Sequence, residues 1–188
     1  MSLPSHILFY KGDLIMYIQP IIFLDVDGPI NTTTNITNRV RERKPTSSYK
    51  VELPSYQLRN LSRIVSVTRS KIVLSSSWRL VDRRYVTGNI SPARANLESQ
   101  LNKFGMSIFS QTPYVNGDRG VEITTWLNRY KSKYGFIPPY IIIDDKLDPI
   151  IKHHKGHVIL CNPRLGITTE LSNIAIQVLN NLCNKYVP

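Results

Sequence analysis

Residues 17–28 read Tyr-Ile-Gln-Pro-Ile-Ile-Phe-Leu-Asp-Val-Asp-Gly, a short apolar run that ends in two carboxylates and a glycine. An apolar run of this length, bounded by turn residues, is typical of a strand buried on both faces of a parallel sheet. Open α/β folds bind their ligands at the carboxyl edge of such a sheet. The stretch therefore predicts that Asp25 and Asp27 lie at the functional edge of the molecule.

The other apolar segments alternate between strand and helix patterns. Short apolar runs predict strands at 71–74, 106–109, 140–145 and 157–161. Apolar residues at helical spacing predict helices at 58–68, 92–104, 120–134 and from Thr168 toward the end of the chain. This alternation predicts an α/β fold in which a parallel sheet is covered by helices on both faces.

The chain is strongly basic, with 24 Lys and Arg against 13 Asp and Glu and a net charge of +11. Such a charge attracts polyanions, which leaves two interpretations open: a dispersed surface charge, or a nucleic-acid or nucleotide substrate. The two cysteines cannot form a disulfide framework, and no apolar stretch approaches the roughly 20 residues of a membrane helix. Without a signal-peptide pattern, a soluble, cytoplasmic protein that does not bind membranes is expected.

Three of the predicted strands end in residues suited to phosphoryl transfer. Asp25 and Asp27 follow the first and could act as a nucleophile and as a general acid and base. The serines at 75–77 offer hydroxyls and amides to a phosphate oxygen, and Asp144 with Asp145 offers hard oxygen ligands for Mg²⁺. Each signal alone also fits a turn, a calcium loop or a helix cap. Together, at one sheet edge, they predict a magnesium-dependent site.

The ordered set Phe-Leu-Asp-Val-Asp-Gly, Leu-Ser-Ser-Ser-Trp-Arg and Ile-Ile-Ile-Asp-Asp resembles motifs I, II and IV of the haloacid dehalogenase (HAD) superfamily of phosphatases. The segments 119–123 and 162–168 are similar to its branch of RNA-repair-type (Swiss Army Knife) domains. The resemblance implies a three-layer, Rossmann-like domain with minimal cap insertions over residues 17–188, preceded by an unassigned extension, residues 1–16. Residues 31–50, the least structured stretch, and 79–119 are the candidate cap or insert regions.

The resemblance also implies roles for single residues. Asp25 is expected to be the nucleophile that forms an aspartyl-phosphate, and Asp27 the general acid and base. Either Ser75 or Ser76 is expected to hold the transferring phosphoryl group. Arg119 is the preferred basic residue of motif III, in competition with Arg129, Lys131 and Lys133.

The metal and the substrate follow from the same resemblance. Mg²⁺ is expected to be bound by Asp25, Asp144 and the backbone carbonyl of Asp27, with Asp145 as a neighbouring ligand. The metal is needed because a carboxylate that attacks an anionic phosphate meets charge repulsion. The minimal caps imply an open site for a bulky substrate. Basic residues are expected to flank it: Arg79, Arg83, Arg84 and the block Arg39, Arg41, Arg43 and Lys44.

Three functions remain open at this point. The first is a phosphatase for nucleic-acid ends or nucleotides, and the second a phosphatase for a small metabolite or a phosphoprotein. The third is a non-catalytic nucleic-acid-binding module, which the intact acidic residues argue against. Trp78 is predicted to pack in the core, and His153, His154 and His157 to form a basic loop rather than a zinc site.

Overall fold

The computed structural model describes residues 7–10, 13–16, 18–80 and 90–185. An antiparallel pair is formed by β1 (Ile7–Tyr10) and β2 (Asp13–Met16). The main sheet has five parallel strands: β3 (Ile21–Leu24), β4 (Lys71–Leu74), β5 (Ile108–Gln111), β6 (Tyr140–Asp144) and β7 (Val158–Leu160). Their order is β5-β4-β3-β6-β7, so the strand that precedes Asp25 is central.

Helices cover both faces of this sheet, which confirms the three-layer α/β prediction. On one face lie α2 (Ser55–Thr68), α3 (Pro92–Asn102) and α6 (Thr169–Asn184). On the other face lie α4 (Arg119–Tyr134) and α5 (Asp148–His154). No helix within the described ranges is long and apolar enough to cross a membrane.

The central strand β3 sends alternate side chains into the two cores. Ile22 and Leu24 pack against the α2, α3 and α6 layer, whereas Ile21 and Phe23 pack against the α4 and α5 layer. All four are buried, and a buried side chain of this size stabilises the fold by roughly 1.5–3 kcal/mol. This two-sided burial explains why the sequence shows a continuous apolar run here and no alternation.

The strand register brings the predicted motifs to one edge. Leu24, the last residue of β3, lies opposite Leu74 of β4 and Ile143 of β6. The backbone N–H of Asp25 donates to the Ile143 carbonyl at 3.0 Å, and that of Ser75 donates to the Leu24 carbonyl at 2.8 Å. The residues that follow these strands therefore emerge side by side.

Two local predictions differ from the structure. The third predicted strand, 106–109, lies two residues later, at 108–111, beside a register irregularity between Ile72 and Val73. The stretch 31–50, expected to be the least structured, contains α1 (Thr33–Arg41), and the Thr32 hydroxyl caps it by accepting the Asn35 N–H at 3.0 Å. This helix buries none of its residues, so the sequence lacks the apolar periodicity from which a helix could be predicted here.

The second candidate insert, 79–119, contributes mainly to the common core. Helix α3 covers one face of the sheet, and β5 forms its edge. Arg83 and Arg84 lie outside the described residues. The described part of this segment therefore forms layers of the α/β fold, and a cap role for residues 79–119 stays a prediction.

Candidate active site

A buried carboxylate, Asp25, lies beside a half-buried arginine, Arg119, at the carboxyl edge of the sheet. The Arg119 guanidinium is 2.9 Å from Asp25 Oδ2, and the same nitrogen pairs with the Asp144 carboxylate. Arg119 is the first residue of α4, which the Asp118 side chain caps by accepting the Val121 N–H at 3.0 Å. The helix start thus aims the arginine at the ends of β3 and β6.

The positive charge of Arg119 does not fully compensate the negative charges of Asp25 and Asp144. Burial alone would lower the pKa of Arg119, but Asp25 and Asp144 outweigh it and raise that pKa above its usual range. Burial, together with the nearby Asp25 carboxylate, raises the pKa of Asp144 to about 6 despite the opposing effect of Arg119. Buried carboxylates that one arginine cannot fully compensate favour binding of a cation.

Three carboxylates form a cluster that fits a magnesium ion. Oxygens of Asp25, Asp144 and Asp145 all lie within 4.8 Å of one another. Asp145 Oδ1 is buried and accepts no hydrogen bond from any residue in the described ranges. A buried oxygen without a partner is costly, and carboxylate oxygens are the ligands that Mg²⁺ prefers. The side chain of Asp27 lies outside this cluster, and the role of its backbone carbonyl stays a prediction.

Gly28 makes room for the Asp145 carboxylate. Its φ is +94°, which L side chains rarely adopt, and a Cβ built on it would lie 2.5 Å from Asp145 Cγ. Two features therefore require glycine at position 28: the positive φ of the backbone turn and the close approach of the Asp145 side chain.

The structure distinguishes the three serines that follow β4. Ser75 Oγ is buried and has no hydrogen-bond partner among the described residues. Ser76 instead caps a 3₁₀ turn, Ser77–Arg79, and its hydroxyl accepts the Trp78 N–H at 3.4 Å. Ser77 lines the cavity described below. Of the two serines expected to bind phosphate, Ser75 is therefore the one whose hydroxyl is unpaired among the described residues, although neither lines the cavity. The roles of Ser75 and Ser76 stay predictions.

Asp27 lies apart from the carboxylate cluster and is exposed. Trp78 Nε1 donates to its Oδ2 at 2.8 Å, and Asn31 Nδ2 donates to its Oδ1 at 2.8 Å. The sequence predicted only packing for Trp78, which is indeed buried. No sequence pattern linked either donor to Asp27, although Asn31 is four residues away.

A cavity of about 190 Å³ opens over these groups. Its lining combines the carboxylates with the first turns of α1 and the loop after β6: Asp25, Asp27, Gly28, Asn31, Thr33, Ile36, Ser77, Arg119, Asp145, Lys146 and Pro163. Lys146 is an exposed cation at this cavity that sequence reasoning did not single out. Of the site residues expected from the sequence, Asp25, Asp27, Arg119 and Asp145 line this cavity, whereas Asp144 does not.

A family model described as "HAD domain in Swiss Army Knife RNA repair proteins" matches residues 21–171. The chain belongs to this HAD family. Comparison with curated proteins gave no match, and comparison with solved structures gave none. The matched range contains β3 to β7 and every residue of the carboxylate cluster.

In this HAD domain Arg79 does not occupy the exposed position expected of a substrate-binding residue. Its guanidinium is buried and lies 2.6 Å from the Glu122 carboxylate, while its Nη1 donates to the Ser76 carbonyl at 2.6 Å. Arg79 does not line the cavity that contains Asp25 and Asp145. The physical reason is that a buried Glu122 needs a buried cation beside it. The expected substrate contact is therefore corrected to a structural ion pair.

Arg39 and Arg41 lie in the last turn of α1, whose first turn lines the cavity of the HAD domain. Arg39 folds back: its Nε donates to the Pro45 carbonyl at 2.7 Å, and its guanidinium is 3.7 Å from Glu52. Arg41 is exposed and donates only weakly, at 3.4 Å, to Asn38. Their role in substrate binding stays a prediction.

Proposed function

We propose that this HAD domain is a Mg²⁺-dependent phosphatase that hydrolyses phosphomonoesters on nucleic-acid ends or nucleotides. One observation carries the proposal: Asp25 is paired with Arg119 at 2.9 Å and shares a 4.8 Å cluster with Asp144 and Asp145. Holding three carboxylates together at a partly buried edge is costly without a cation and without a catalytic use. A purely nucleic-acid-binding module has no need of them.

The first chemical step transfers the phosphoryl group to the protein. A carboxylate oxygen of Asp25 attacks phosphorus, the bond from phosphorus to the leaving oxygen breaks, and that oxygen takes the proton of the Asp27 carboxyl. Arg119 offsets the charge of nucleophile and phosphate, and the Ser75 hydroxyl is available to donate to a phosphoryl oxygen. Asp25, Asp144 and Asp145 would hold Mg²⁺, which would supply the remaining positive charge against the repulsion between nucleophile and phosphate.

The second step returns the protein to its starting state. The Asp27 carboxylate takes a proton from a water molecule as that water attacks the phosphorus of the aspartyl-phosphate. The bond from phosphorus to the Asp25 oxygen breaks, and inorganic phosphate leaves. Asp27 regains the proton that it gave to the leaving group, so the two steps balance.

Charge and cavity size support a nucleic-acid or nucleotide substrate. At about 190 Å³ the cavity is smaller than the roughly 300–1,000 Å³ of typical ligand pockets, so it suits the phosphate end of a larger molecule. The rest of such a substrate would lie on the surface of a chain with a net charge of +11. The family description, which names RNA repair proteins, agrees with this choice.

A phosphate-release screen tests the proposal. Nucleotides, oligonucleotides phosphorylated at the 3′ or the 5′ end, phosphopeptides and sugar phosphates are compared with and without Mg²⁺. We expect release that needs Mg²⁺, that favours the nucleic-acid substrates and that disappears in Asp25→Asn, whose amide cannot attack phosphorus. A folded Asp25→Asn variant with wild-type activity would refute the mechanism, and a clear preference for phosphopeptides or sugar phosphates would refute the substrate class.

A further inference from the structure

Each oxygen of the Asp27 carboxylate accepts a hydrogen bond from a different buried side chain. Trp78 Nε1 lies 2.8 Å from Oδ2, and Asn31 Nδ2 lies 2.8 Å from Oδ1. Both donor residues are only 3% exposed, although Asp27 itself is exposed. An exposed aspartate ordinarily rotates freely, whereas two donors on opposite oxygens fix the plane of the carboxylate.

The two donors are themselves held in place by other parts of the chain. Trp78 packs in the larger hydrophobic core, and its carbonyl accepts the hydroxyl of Ser91, the residue that caps α3. Asn31 Oδ1 accepts the Asn35 amide at 3.1 Å, and the Asn31 backbone N–H donates to the Val26 carbonyl at 2.8 Å. The acceptor role of Asn31 Oδ1 turns its NH₂ group toward Asp27.

From this geometry we propose that Trp78 and Asn31 are positioning residues for proton transfer by Asp27. The inference rests on the proposed function, in which Asp27 gives a proton to the leaving group and later takes one from water. An ionised carboxylate offers about four lone pairs, so both N–H donors can stay bonded while a proton is carried on another lone pair. The clamp therefore restricts orientation without blocking proton transfer.

This role predicts a dependence on the leaving group. The sugar alkoxide that departs from a nucleotide is strongly basic and needs a proton in the transition state. The p-nitrophenolate ion departs unprotonated. Loss of the Trp78 indole N–H should therefore slow hydrolysis of a nucleoside monophosphate much more than hydrolysis of p-nitrophenyl phosphate.

The test compares kcat/KM for these two substrates in Trp78→Phe, which keeps an aromatic ring but lacks the donor. We expect a decrease of about 10- to 100-fold for the nucleoside monophosphate and of less than about threefold for p-nitrophenyl phosphate. Asn31→Leu removes the other donor at similar volume and should give the same contrast. It also decides the question if Trp78→Phe does not fold.

A matched control is available in Trp126→Phe. Trp126 is also buried, and its Nε1 donates to Ser110 Oγ at 3.1 Å, but it does not line the catalytic cavity. This variant should leave both kcat/KM values unchanged, and thermal unfolding of all variants measures the structural cost. Equal losses on both substrates in Trp78→Phe and Asn31→Leu, or no loss, would overturn the positioning role.

Failure of the underlying function gives a different result. A wild-type protein that hydrolyses neither substrate, or an active Asp25→Asn variant, overturns the proposed phosphatase chemistry and the positioning role with it. Asp25-dependent hydrolysis with no leaving-group contrast in the two donor variants overturns the positioning role alone.

Discussion

The Glu122 carboxylate lies 2.6 Å from the Arg79 guanidinium, and both side chains are almost completely buried. Arg79 Nε also donates to the Thr112 carbonyl at 3.1 Å, and Glu122 Oε1 accepts the Val115 N–H at 3.0 Å. Burial lowers the pKa of Arg79, and the charge of Glu122 opposes that effect. The pair therefore ties the turn after β4 to the loop that leads into α4, the helix that carries Arg119.

Glu122→Gln should destabilise the whole domain. The change keeps the side-chain shape but leaves the Arg79 charge buried without its counter-ion, for which breaking a buried pair typically costs about 3–5 kcal/mol. The free energy of unfolding from urea titration measures the effect. The comparison variant is Glu98→Gln, which removes a half-buried i,i+4 pair with Arg94 at 2.9 Å and should cost only about 0.3–0.5 kcal/mol. Equal losses would show that burial does not strengthen the Arg79 pair.

Gly28→Ala should weaken Mg²⁺ binding as well as the fold. The new methyl group would lie 2.5 Å from Asp145 Cγ, so the Asp145 carboxylate must leave its present position in the cluster with Asp25 and Asp144. We expect the half-saturating Mg²⁺ concentration for phosphate release to rise about tenfold or more, as is usual when the surroundings of a metal site are disturbed. A tenfold rise corresponds to a loss of about 1.4 kcal/mol of Mg²⁺ binding free energy. A Mg²⁺ titration of activity measures it.

Gly135→Ala separates the clash from backbone strain. Gly135 also has a positive φ, +86°, but no atom lies within 4 Å of a Cβ built there, and it follows the far end of α4. This variant should lose about 1 kcal/mol of stability, as is usual for a side chain at positive φ, while its Mg²⁺ titration stays that of the wild type. The same shift in both variants would mean that strain alone, not contact with Asp145, limits metal binding.

The sheet was predictable because its strands are buried on both faces. Ile21–Leu24 and Tyr140–Asp144 form continuous apolar runs, and parallel topology then puts the following carboxylates at one edge. Helix α1 was not predictable in the same way, since it buries no residue and depends on the Thr32 cap. The bounds of β5 were also missed, because its side chains are only partly buried at the sheet edge and give a weak pattern.

The carboxylate cluster followed from strand ends, whereas partners distant in sequence did not. Arg79 and Glu122 are 43 residues apart, and Trp78 lies 51 residues from Asp27. An arginine beside a serine motif has the same sequence whether it faces solvent or a buried glutamate. Only the packing of α4 against the turn after β4 reveals the pairing of Arg79 with Glu122. The contact of the Trp78 indole with Asp27 likewise follows from the fold and not from a local pattern.

Acid should weaken the fold through His154. This side chain is buried between α4 and β6: its Nε2 donates to the Gly120 carbonyl at 2.9 Å, and its Nδ1 accepts from the Tyr140 hydroxyl at 3.0 Å. Burial lowers the pKa of His154, and His153 and His157 lower it further, against the opposing Gly120 bond. The unfolded chain thus takes up a proton near pH 6.5 that the folded chain accepts only at lower pH.

The contribution of His154 is therefore fully present above pH 6.5 and is lost as the pH falls from there through the folded pKa. The slope is at most about 1.4 kcal/mol per pH unit for one proton. Urea unfolding from pH 8 to pH 5 should show a shallower decline for His154→Gln than for the wild type. His153→Gln, at an exposed position on the same helix, should follow the wild type. Parallel curves for wild type and His154→Gln would contradict the prediction.

Two of the four cations in and after α1 should contribute most to nucleic-acid binding. Lys44 lies 2.8 Å from Glu42, and Arg39 lies 3.7 Å from Glu52, so both are partly neutralised. Arg41 and Arg43 are exposed and form no ion pair within the described part of the chain. An exposed cation that forms no ion pair is free to pair with a phosphate and to release counterions.

Arg41→Gln with Arg43→Gln should therefore flatten the salt dependence of activity on a phosphorylated oligonucleotide. For the wild type, kcat/KM should fall steeply between roughly 50 and 200 mM salt, and each lost phosphate contact should reduce the slope of its logarithm against log salt by about 0.7–0.9. The matched control, Arg39→Gln with Lys44→Gln, makes the same change in net charge but should alter the slope less.

Hydrolysis of p-nitrophenyl phosphate should hardly respond to salt in any of these proteins, because this small ester has no extended backbone to bind. Equal slopes for the oligonucleotide and the small ester would remove nucleic acid as the substrate, and equal effects of the two double variants would show that net charge alone, not the pairing around α1, governs binding.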